Sequence, residues 1–104
     1  MTVTTIGATQ VHVDPEGFLT EYGEWSEDLA RQLAGLIGLE LTEAHLAVLR
    51  SLREDYQERG ESATLRHAAA VSGVPIKELF ALFPGKPAKK MAYVAGLPKP
   101  VGCV

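Results

Sequence analysis

Cys103 is the only cysteine in this 104-residue sequence and the side chain best suited to chemistry. A cysteine thiolate is a strong nucleophile toward sulfur, so it can accept a sulfur atom or exchange a disulfide. The terminal carboxylate and the nearby lysines act on this thiol in opposite directions, so the sequence leaves its charge at neutral pH open. A thiol without special activation can still be persulfidated when a partner supplies the activation.

The segment that carries this cysteine cannot be a helix or a central strand. Pro98 and Pro100 lack amide hydrogens and have a fixed φ. Gly96 and Gly102 add backbone freedom on either side. Pro-x-Pro favours the polyproline II form, which rises about 3.1 Å per residue and would carry the sulfur roughly 20 Å from the body. We therefore predict an extended, mobile C-terminal arm, residues 96–104, that presents the thiol to another protein.

Charge is distributed unevenly along the chain. Residues 1–78 carry six basic and thirteen acidic side chains, a net charge of −7, within an overall charge of −3. Residues 79–104 carry no acidic side chain and four lysines, Lys86, Lys89, Lys90 and Lys99. A cationic quarter around the thiol suggests an anionic or acidic partner, and the alternative is an ordinary solvated surface.

Composition excludes several function classes. A single cysteine rules out an internal disulfide and a multi-cysteine zinc site, and it suits a reducing cytoplasm. We see no signal peptide, no apolar run of about 20 residues for a membrane span, and no glycine-rich phosphate loop. The three histidines, His12, His45 and His67, are scattered, so we predict neither metal nor cofactor. A cysteine–histidine hydrolase would need its base held rigidly beside the nucleophile, which a flexible terminus does not provide.

The elements that must position the arm indicate one domain, residues 1–95, of the mostly α (α+β) class. We predict a small N-terminal β-hairpin within residues 3–22. Its turn is predicted at residues 14–17, because Asp, Pro and Gly stand at the positions that a type I turn prefers. We expect the hairpin to pack on a bundle of about five helices.

Capping residues and apolar spacing delimit these helices. Ser26 and Thr42 are expected N-caps, and a third helix is expected from Thr64 to Ser72. Pro75 and Pro87 are expected to stand at the first position of the last two helices, and Gly96 to end the last one. The apolar stripe of the first helix comprises Leu29, Ala30, Leu33, Leu36 and Ile37. Trp25 is expected to anchor the core over this helix, and Arg50 is expected to pair with Glu54 four residues on.

The helices around Gly73 also have the outline of a helix-turn-helix pair. A DNA-binding version needs Arg, Lys, Asn or Gln on its second helix, directed at base edges. Residues 75–83 offer only Lys77 beside Glu78 and are otherwise apolar. We therefore favour a packed helical pair over a DNA reader and expect nucleic acid to be involved at most indirectly.

The sequence resembles the DsrC/TusE family of small sulfur-relay proteins over nearly its whole length. The C-terminal stretch Ala95-Gly96-Leu97-Pro98-Lys99-Pro100-x-Gly102-Cys103-Val104 corresponds to the family signature. The remaining matches, in chain order, are Asp14, Gly17, Phe18, Leu19, Trp25, Leu41, Thr42, His45, Val48, Arg50, Arg66, Leu82, Phe83, Pro84, Pro87, Ala88 and Lys89.

The resemblance implies that Cys103 carries the sulfur, as the family's penultimate cysteine does. It implies protein sulfur donors and acceptors as partners: a relay complex and a tRNA-thiolating enzyme in the TusE case, and dissimilatory sulfite reductase in the DsrC case. We expect a monomer in the cytoplasm that does not bind membranes. The arm and partner-binding residues are predicted to be Gly96, Leu97, Pro98, Lys99, Pro100, Gly102, Lys89, Lys90 and Arg66.

Two departures from the DsrC pattern bear on which case applies. DsrC has a second cysteine with ten residues between it and the penultimate one, and Ala92 stands at that position here. Alanine cannot form the intramolecular disulfide or the trisulfide of sulfite-reductase chemistry, so the single-cysteine TusE pattern fits better. The stretch between Arg66 and Leu82 is also about one helical turn shorter than expected. The favoured function is a persulfide carrier for tRNA 2-thiouridine synthesis, with a DsrC-like role or a non-enzymatic helix-turn-helix-like binding module as alternatives.

Overall fold

The fold begins with a two-stranded antiparallel sheet formed by β1 (Thr2–Ile6) and β2 (Thr9–Val13). The computed structural model describes residues 2–100, so Gly102 and Cys103 of the predicted arm lie outside the described residues. A single 3-10 turn, Tyr22–Glu24, leads from the sheet into the helices. Within the described range five α-helices follow: α1 (Glu27–Leu36), α2 (Glu43–Arg59), α3 (Leu65–Ser72), α4 (Ile76–Leu82) and α5 (Pro87–Val94).

The hairpin turns at residues 7 and 8, and the predicted position at residues 14–17 is wrong. Ile6 pairs with Thr9, which leaves a two-residue loop that starts with Gly7 at a φ of 60°. Glycine in the first loop position allows the tight turn that matches the right-handed twist of the strands. The small sheet is therefore shorter and lies nearer the N-terminus than residues 3–22 suggested.

The Asp14 turn exists, but it follows β2 instead of joining two strands. The Gly17 N–H donates to the Asp14 carbonyl at 2.9 Å, and Asp14 Oδ1 accepts from the Phe18 N–H at 2.9 Å. Beyond the turn, Leu19 forms only an isolated bridge to Val13. The turn thus brings Phe18 and Leu19, both buried, back against the core instead of extending the sheet.

Local capping explains where the helices begin and end. Ser26 Oγ accepts from the Leu29 N–H at 3.1 Å, and Thr42 is the N-cap residue of α2, so both predicted N-caps are confirmed. Thr64 caps α3 in the same way, because its Oγ1 accepts from the His67 N–H at 3.2 Å. Pro87 occupies the first turn of α5 as predicted. Pro75 instead stands just before α4, at the N-cap, because its ψ of 148° is extended.

Two hydrophobic clusters form the core. The smaller one lies between the hairpin and α1 and comprises Val11, Val13, Leu19, Leu29 and Leu33. The larger one joins all five helices and the start of the predicted arm, and Trp25 and Tyr93 pack against both clusters. Leu36 was expected to face inward but is 64% exposed, because α1 ends there and the chain turns away. In the part of the chain that the structure describes, no helix is long and apolar enough to cross a membrane.

Candidate functional site: the root of the arm

The arm root, which we define as residues 96–100, begins with a Schellman motif at the end of α5. The Leu97 N–H donates to the Ala92 carbonyl at 3.0 Å, and the Gly96 N–H donates to the Tyr93 carbonyl at 3.3 Å. These bonds satisfy two of the carbonyls that a helix end leaves without an intrahelical partner. Backbone geometry therefore fixes the direction in which the chain leaves the helix.

Two side chains from other elements hold the last carbonyls of this turn. Trp25 Nε1 donates to the Val94 carbonyl at 2.8 Å, and Arg53 Nη1 donates to the Ala95 carbonyl at 2.8 Å. The second guanidinium nitrogen of Arg53, Nη2, donates to the Tyr22 carbonyl at 2.8 Å. Arg53 thereby ties the end of α5 to both α2 and the 3-10 turn.

Arg53 is stacked between two aromatic rings. Its guanidinium carbon lies 3.9 Å from the centre of the Tyr22 ring and 4.4 Å from that of the Trp25 ring. Burial lowers the pKa of the Arg53 guanidinium from its usual value, yet a guanidinium stays charged at any physiological pH. Its cation–π contacts and its two carbonyl bonds therefore act together on the arm root.

Gly96 is required at the first position of the arm root. Its φ of +71° lies in the left-handed region, which L side chains rarely adopt. A Cβ built at this position would lie 2.5 Å from Trp25 Cδ1, well inside van der Waals contact. The indole thus packs directly on the bare glycine backbone.

The rest of the arm root also contacts the body. Leu97 is 1% exposed and belongs to the larger core cluster. Ser62 Oγ donates a short hydrogen bond to the Pro98 carbonyl, Lys99 Nζ lies 3.0 Å from Glu16 Oε1, and Pro100 is buried. Residues 96–100 are therefore tied to the body at several points, although Pro98 and Lys99 are exposed.

A groove opens beside the arm root at the N-terminal end of α5. It measures about 510 Å³ and has an apolar floor formed by Phe18, Ile37 and Tyr93. The groove is also lined by Gly85, by Glu16 and by three lysines, Lys86, Lys89 and Lys90. Glu16 belongs both to this groove and to the ion pair with Lys99, so the groove and the arm root adjoin. We call it the lysine groove.

The predicted partner-binding residues separate into two groups. Lys89 and Lys90 line the lysine groove next to the arm root. This is the arrangement expected if these two lysines and the arm root form one partner-binding surface. Arg66 is exposed on α3 and does not line that groove. The role of Cys103 stays a prediction, because that residue lies outside the described range.

Ala92 occupies a buried position behind the arm root. It is 3% exposed, and its carbonyl accepts the Leu97 N–H. The side chain at this position therefore faces the core cluster that also holds Leu97. No second thiol is available here.

Sequence reasoning missed Arg53 and misassigned Arg50. Arg50 binds Glu27 Oε2 at 2.7 Å and Glu43 Oε1 at 3.1 Å, instead of the predicted Glu54, and so joins the starts of α1 and α2. These hydrogen bonds raise the pKa of the Arg50 guanidinium above its usual value, and the bond to Glu27 has the larger effect. Arg53 gave no local signal, because its partners lie 31 and 42 residues away.

The histidines have structural partners. His45 Nε2 donates to the Leu82 carbonyl at 2.8 Å, and its Nδ1 accepts from the Thr42 N–H at 3.0 Å, so the ring caps α2 and binds the end of α4. His67 Nε2 lies 2.8 Å from Asp55 Oδ1, and His12 Nδ1 lies 2.8 Å from Glu24 Oε2. Among residues 2–100 no group of three or more potential metal ligands occurs.

Comparison with known proteins agrees with this architecture. A family model described as "DsrC like protein" matches residues 5–104. The sulfurtransferase TusE of Yersinia pseudotuberculosis is 39% identical over 101 residues, which cover 90% of this chain and 94% of that protein. The TusE of Sodalis glossinidius is 37% identical over 103 residues, which cover 92% of this chain and 95% of that protein.

Two solved DsrC structures are also similar to this chain over nearly its whole length. The NMR structure of Allochromatium vinosum DsrC has a TM-score of 0.84 and 36% identity, with coverage of 98% of this chain and 97% of that one. The oxidized gamma-subunit of dissimilatory sulfite reductase (DsrC) from Archaeoglobus fulgidus has a TM-score of 0.78 and 31% identity, with coverage of 99% and 100%.

The fold and the site define a small, mostly helical protein whose last helix leads into an anchored arm root, residues 96–100. The single cysteine of the sequence follows the arm root at position 103. The chain belongs to the DsrC-like family. The predicted resemblance and fold class are thereby confirmed.

Proposed function

We propose that this protein is a sulfur carrier that accepts sulfane sulfur as a persulfide on Cys103 and passes it to a partner protein. The observation that carries the proposal is the match to sulfurtransferase TusE proteins over nine-tenths of the chain. The family match extends to residue 104 and therefore includes Cys103. The anchored arm root supports it as well, because it gives the cysteine segment a fixed point of departure.

The chemistry needs no cofactor. The Cys103 thiolate attacks the outer sulfur of a donor persulfide, and a new S–S bond forms on Cys103. The S–S bond of the donor breaks, and the donor leaves as a thiolate that takes up a proton. Transfer to the acceptor repeats the exchange in the opposite sense, so no net oxidation occurs. The protein would thus be a sulfurtransferase only together with its partners.

The favoured acceptor is the machinery that makes 2-thiouridine in tRNA. Similarity to TusE proteins supports this choice, and so does Ala92. A carrier with one thiol can hold a persulfide, whereas an intramolecular disulfide or trisulfide needs two. We expect the carrier to act as a monomer in the cytoplasm, where a lone thiol remains reduced.

The second candidate is a DsrC-like partner of sulfite reductase or a related enzyme. Similarity to DsrC structures at TM-scores of 0.78 and 0.84 favours it. It shares the Cys103 chemistry and differs in the acceptor, so the test is which acceptor takes labelled sulfur from the loaded carrier. Transfer to a tRNA-thiolating enzyme and not to sulfite reductase supports the first candidate, and the reverse result supports the second.

The third candidate, a non-enzymatic binding module, would use the pair α3 and α4. Ile76 and Phe80 of α4 are 39% and 46% exposed, and Lys77 and Glu78 are exposed between them. This surface predicts partner binding that survives the loss of Cys103. Salt-dependent retention of a Cys103→Ser variant on DNA would favour this reading over sulfur transfer.

Intact-mass spectrometry tests the carrier proposal. The protein is incubated with a small-molecule persulfide beside a Cys103→Ser variant, and both are checked for folding by circular dichroism. We expect the original chain alone to gain about one sulfur mass and to lose it on treatment with a dithiol reductant. An equal gain on the variant, or no gain on the folded original chain, would contradict the proposal.

A further inference from the structure

We propose that the lysine groove is the docking site for an acidic segment of the sulfur-exchanging partner, with one large apolar side chain seated on the groove floor. The identity of the partner rests on the proposed function. The groove itself is defined by described residues, so it can be tested separately. Its three lysines are Lys86, Lys89 and Lys90.

Charge around the groove is unbalanced. Within residues 2–100, none of the three lysines belongs to an ion pair. The one carboxylate that lines the groove, that of Glu16, is already 3.0 Å from Lys99 Nζ. Three amines that share a concave surface repel one another, and an incoming carboxylate relieves that repulsion.

The start of α5 adds to this effect. The backbone N–H groups at a helix start carry partial positive charge, and acidic side chains normally occupy the first turn. The first turn of α5 has none, and Lys86 is its N-cap residue. Lys89 and Lys90 are half-buried. A Cβ built at Gly85, which also lines the groove, would lie 3.5 Å from Lys90 Nζ, so this ammonium group lies at the groove.

The floor of the groove calls for an apolar side chain. Phe18 and Tyr93 pack edge to face with ring centres 5.7 Å apart, and Ile37 completes the floor. Burial raises the pKa of the Tyr93 phenol above 10.0, so the ring stays neutral at physiological pH. A volume of about 510 Å³ lies within the roughly 300–1,000 Å³ typical of ligand sites.

The wider charge pattern favours a short acidic peptide over a nucleic acid. Residues 1–78 carry a net charge of −7, which repels a long polyanion that would extend past the groove. A short acidic segment meets only the local lysines. Because Glu16 and Lys99 join the groove to the arm root, a partner bound there lies beside the arm root, where Lys99 stands four residues before Cys103 in the sequence.

Amide chemical-shift titration of the full-length protein tests the inference. The probes are three end-blocked peptides and one oligonucleotide: DEFED, its glycine-centred analogue DEGED, the basic analogue KRFRK, and decauridylate. We expect DEFED to shift the amides of Gly85, Lys89, Lys90 and Tyr93 saturably, about threefold or more tighter than DEGED. Added salt should weaken the binding.

Matched lysine variants provide the control. Lys90→Gln should weaken DEFED binding about fivefold and Lys89→Gln/Lys90→Gln more than tenfold. Lys77→Gln removes the same charge from the exposed surface of α4 and should change the binding less than twofold.

Four outcomes would overturn the inference: no saturable shifts at these amides, equal binding of KRFRK, tighter binding of decauridylate through the same amides, or shifts on raising the protein concentration alone. The last two would assign the groove to nucleic acid or to a second copy. Persulfide loading of Cys103 is measured on the same samples. Loading without peptide binding refutes the groove alone, and peptide binding without loading refutes the carrier function alone.

Discussion

Gly96 combines two demands that no other residue type meets. Its backbone adopts a φ of +71°, and its missing Cβ leaves the space that Trp25 fills. The Trp25 indole in turn donates to the Val94 carbonyl. One small residue therefore couples the geometry of the arm root to a tryptophan that packs against both hydrophobic clusters.

We expect Gly96→Ala to lower the free energy of unfolding by about 2–4 kcal/mol, because left-handed strain and a steric clash add together. Urea denaturation measures this change. Gly38→Ala is the matched control, since Gly38 has the same φ of +71° but nothing within 4 Å of a built Cβ. The control should lose only the strain contribution, about 1 kcal/mol. Equal losses in the two variants would contradict the packing role of Trp25 on Gly96.

At the scale of elements, local signals were predictable and long-range ones were not. Ser26 and Thr64 cap their helices through bonds to residues three positions on, so the sequence contains both partners. The Asp14 turn was also predictable as a turn. That this turn follows β2 and does not form the hairpin loop was not predictable, because the two-residue loop at Gly7 depends on strand pairing across the whole hairpin.

The candidate site shows the same division. The proline and glycine pattern of residues 96–100 predicted a non-helical segment after α5, and the lysines marked its charge. Burial of Leu97 was not predictable, since the core that receives it is assembled from five separate helices. Arg53 was missed for the same reason: its bonds to Tyr22 and Ala95 exist only once three elements have met.

The contact between β2 and the 3-10 turn predicts a pH effect on stability. Glu24 accepts from the His12 N–H at 2.7 Å and from His12 Nδ1 at 2.8 Å. Both hydrogen bonds lower the pKa of the Glu24 carboxyl below its ordinary 4.5, and the bond from the His12 backbone has the larger effect. A carboxyl with a lowered pKa stabilises the fold when ionised, so its contribution is complete above pH 4.5 and is lost as the pH falls through the folded-state value.

We therefore expect Glu24→Gln to be less stable than the original chain near neutral pH. The two should converge as the pH falls below 4.5 and through the lowered folded-state pKa of Glu24. Urea midpoints across this range measure the effect. Glu21→Gln removes a nearby exposed carboxylate and should leave the pH dependence of the original chain intact. Parallel curves for the original chain and Glu24→Gln would show that this carboxylate does not contribute to acid stability.

On the scale of the whole molecule, the anchored arm root links stability to carrier function. The protein has an acidic body, with −7 over residues 1–78, and a cationic end with four lysines. That end is not a separate appendage, because Leu97 lies in the same core cluster as Leu52 of α2 and Met91 of α5. The fold that holds the helices together therefore also sets where the cysteine segment departs.

Leu97→Ala tests this link. A leucine with 1% exposure leaves a cavity when truncated, so we expect a loss of about 3 kcal/mol and a fall in Tm of roughly 10 °C or more. Lys99→Ala, two residues on, removes only a half-exposed ion pair and should change stability by less than about 1 kcal/mol. Alkylation of Cys103 by a small reagent, measured where Leu97→Ala is folded, should proceed at the rate of the original chain, because this change leaves the nearby lysines and the terminal carboxylate in place. If Leu97→Ala were no more destabilising than Lys99→Ala, the arm would begin at Gly96 as a free segment, and its direction of departure would not depend on the core.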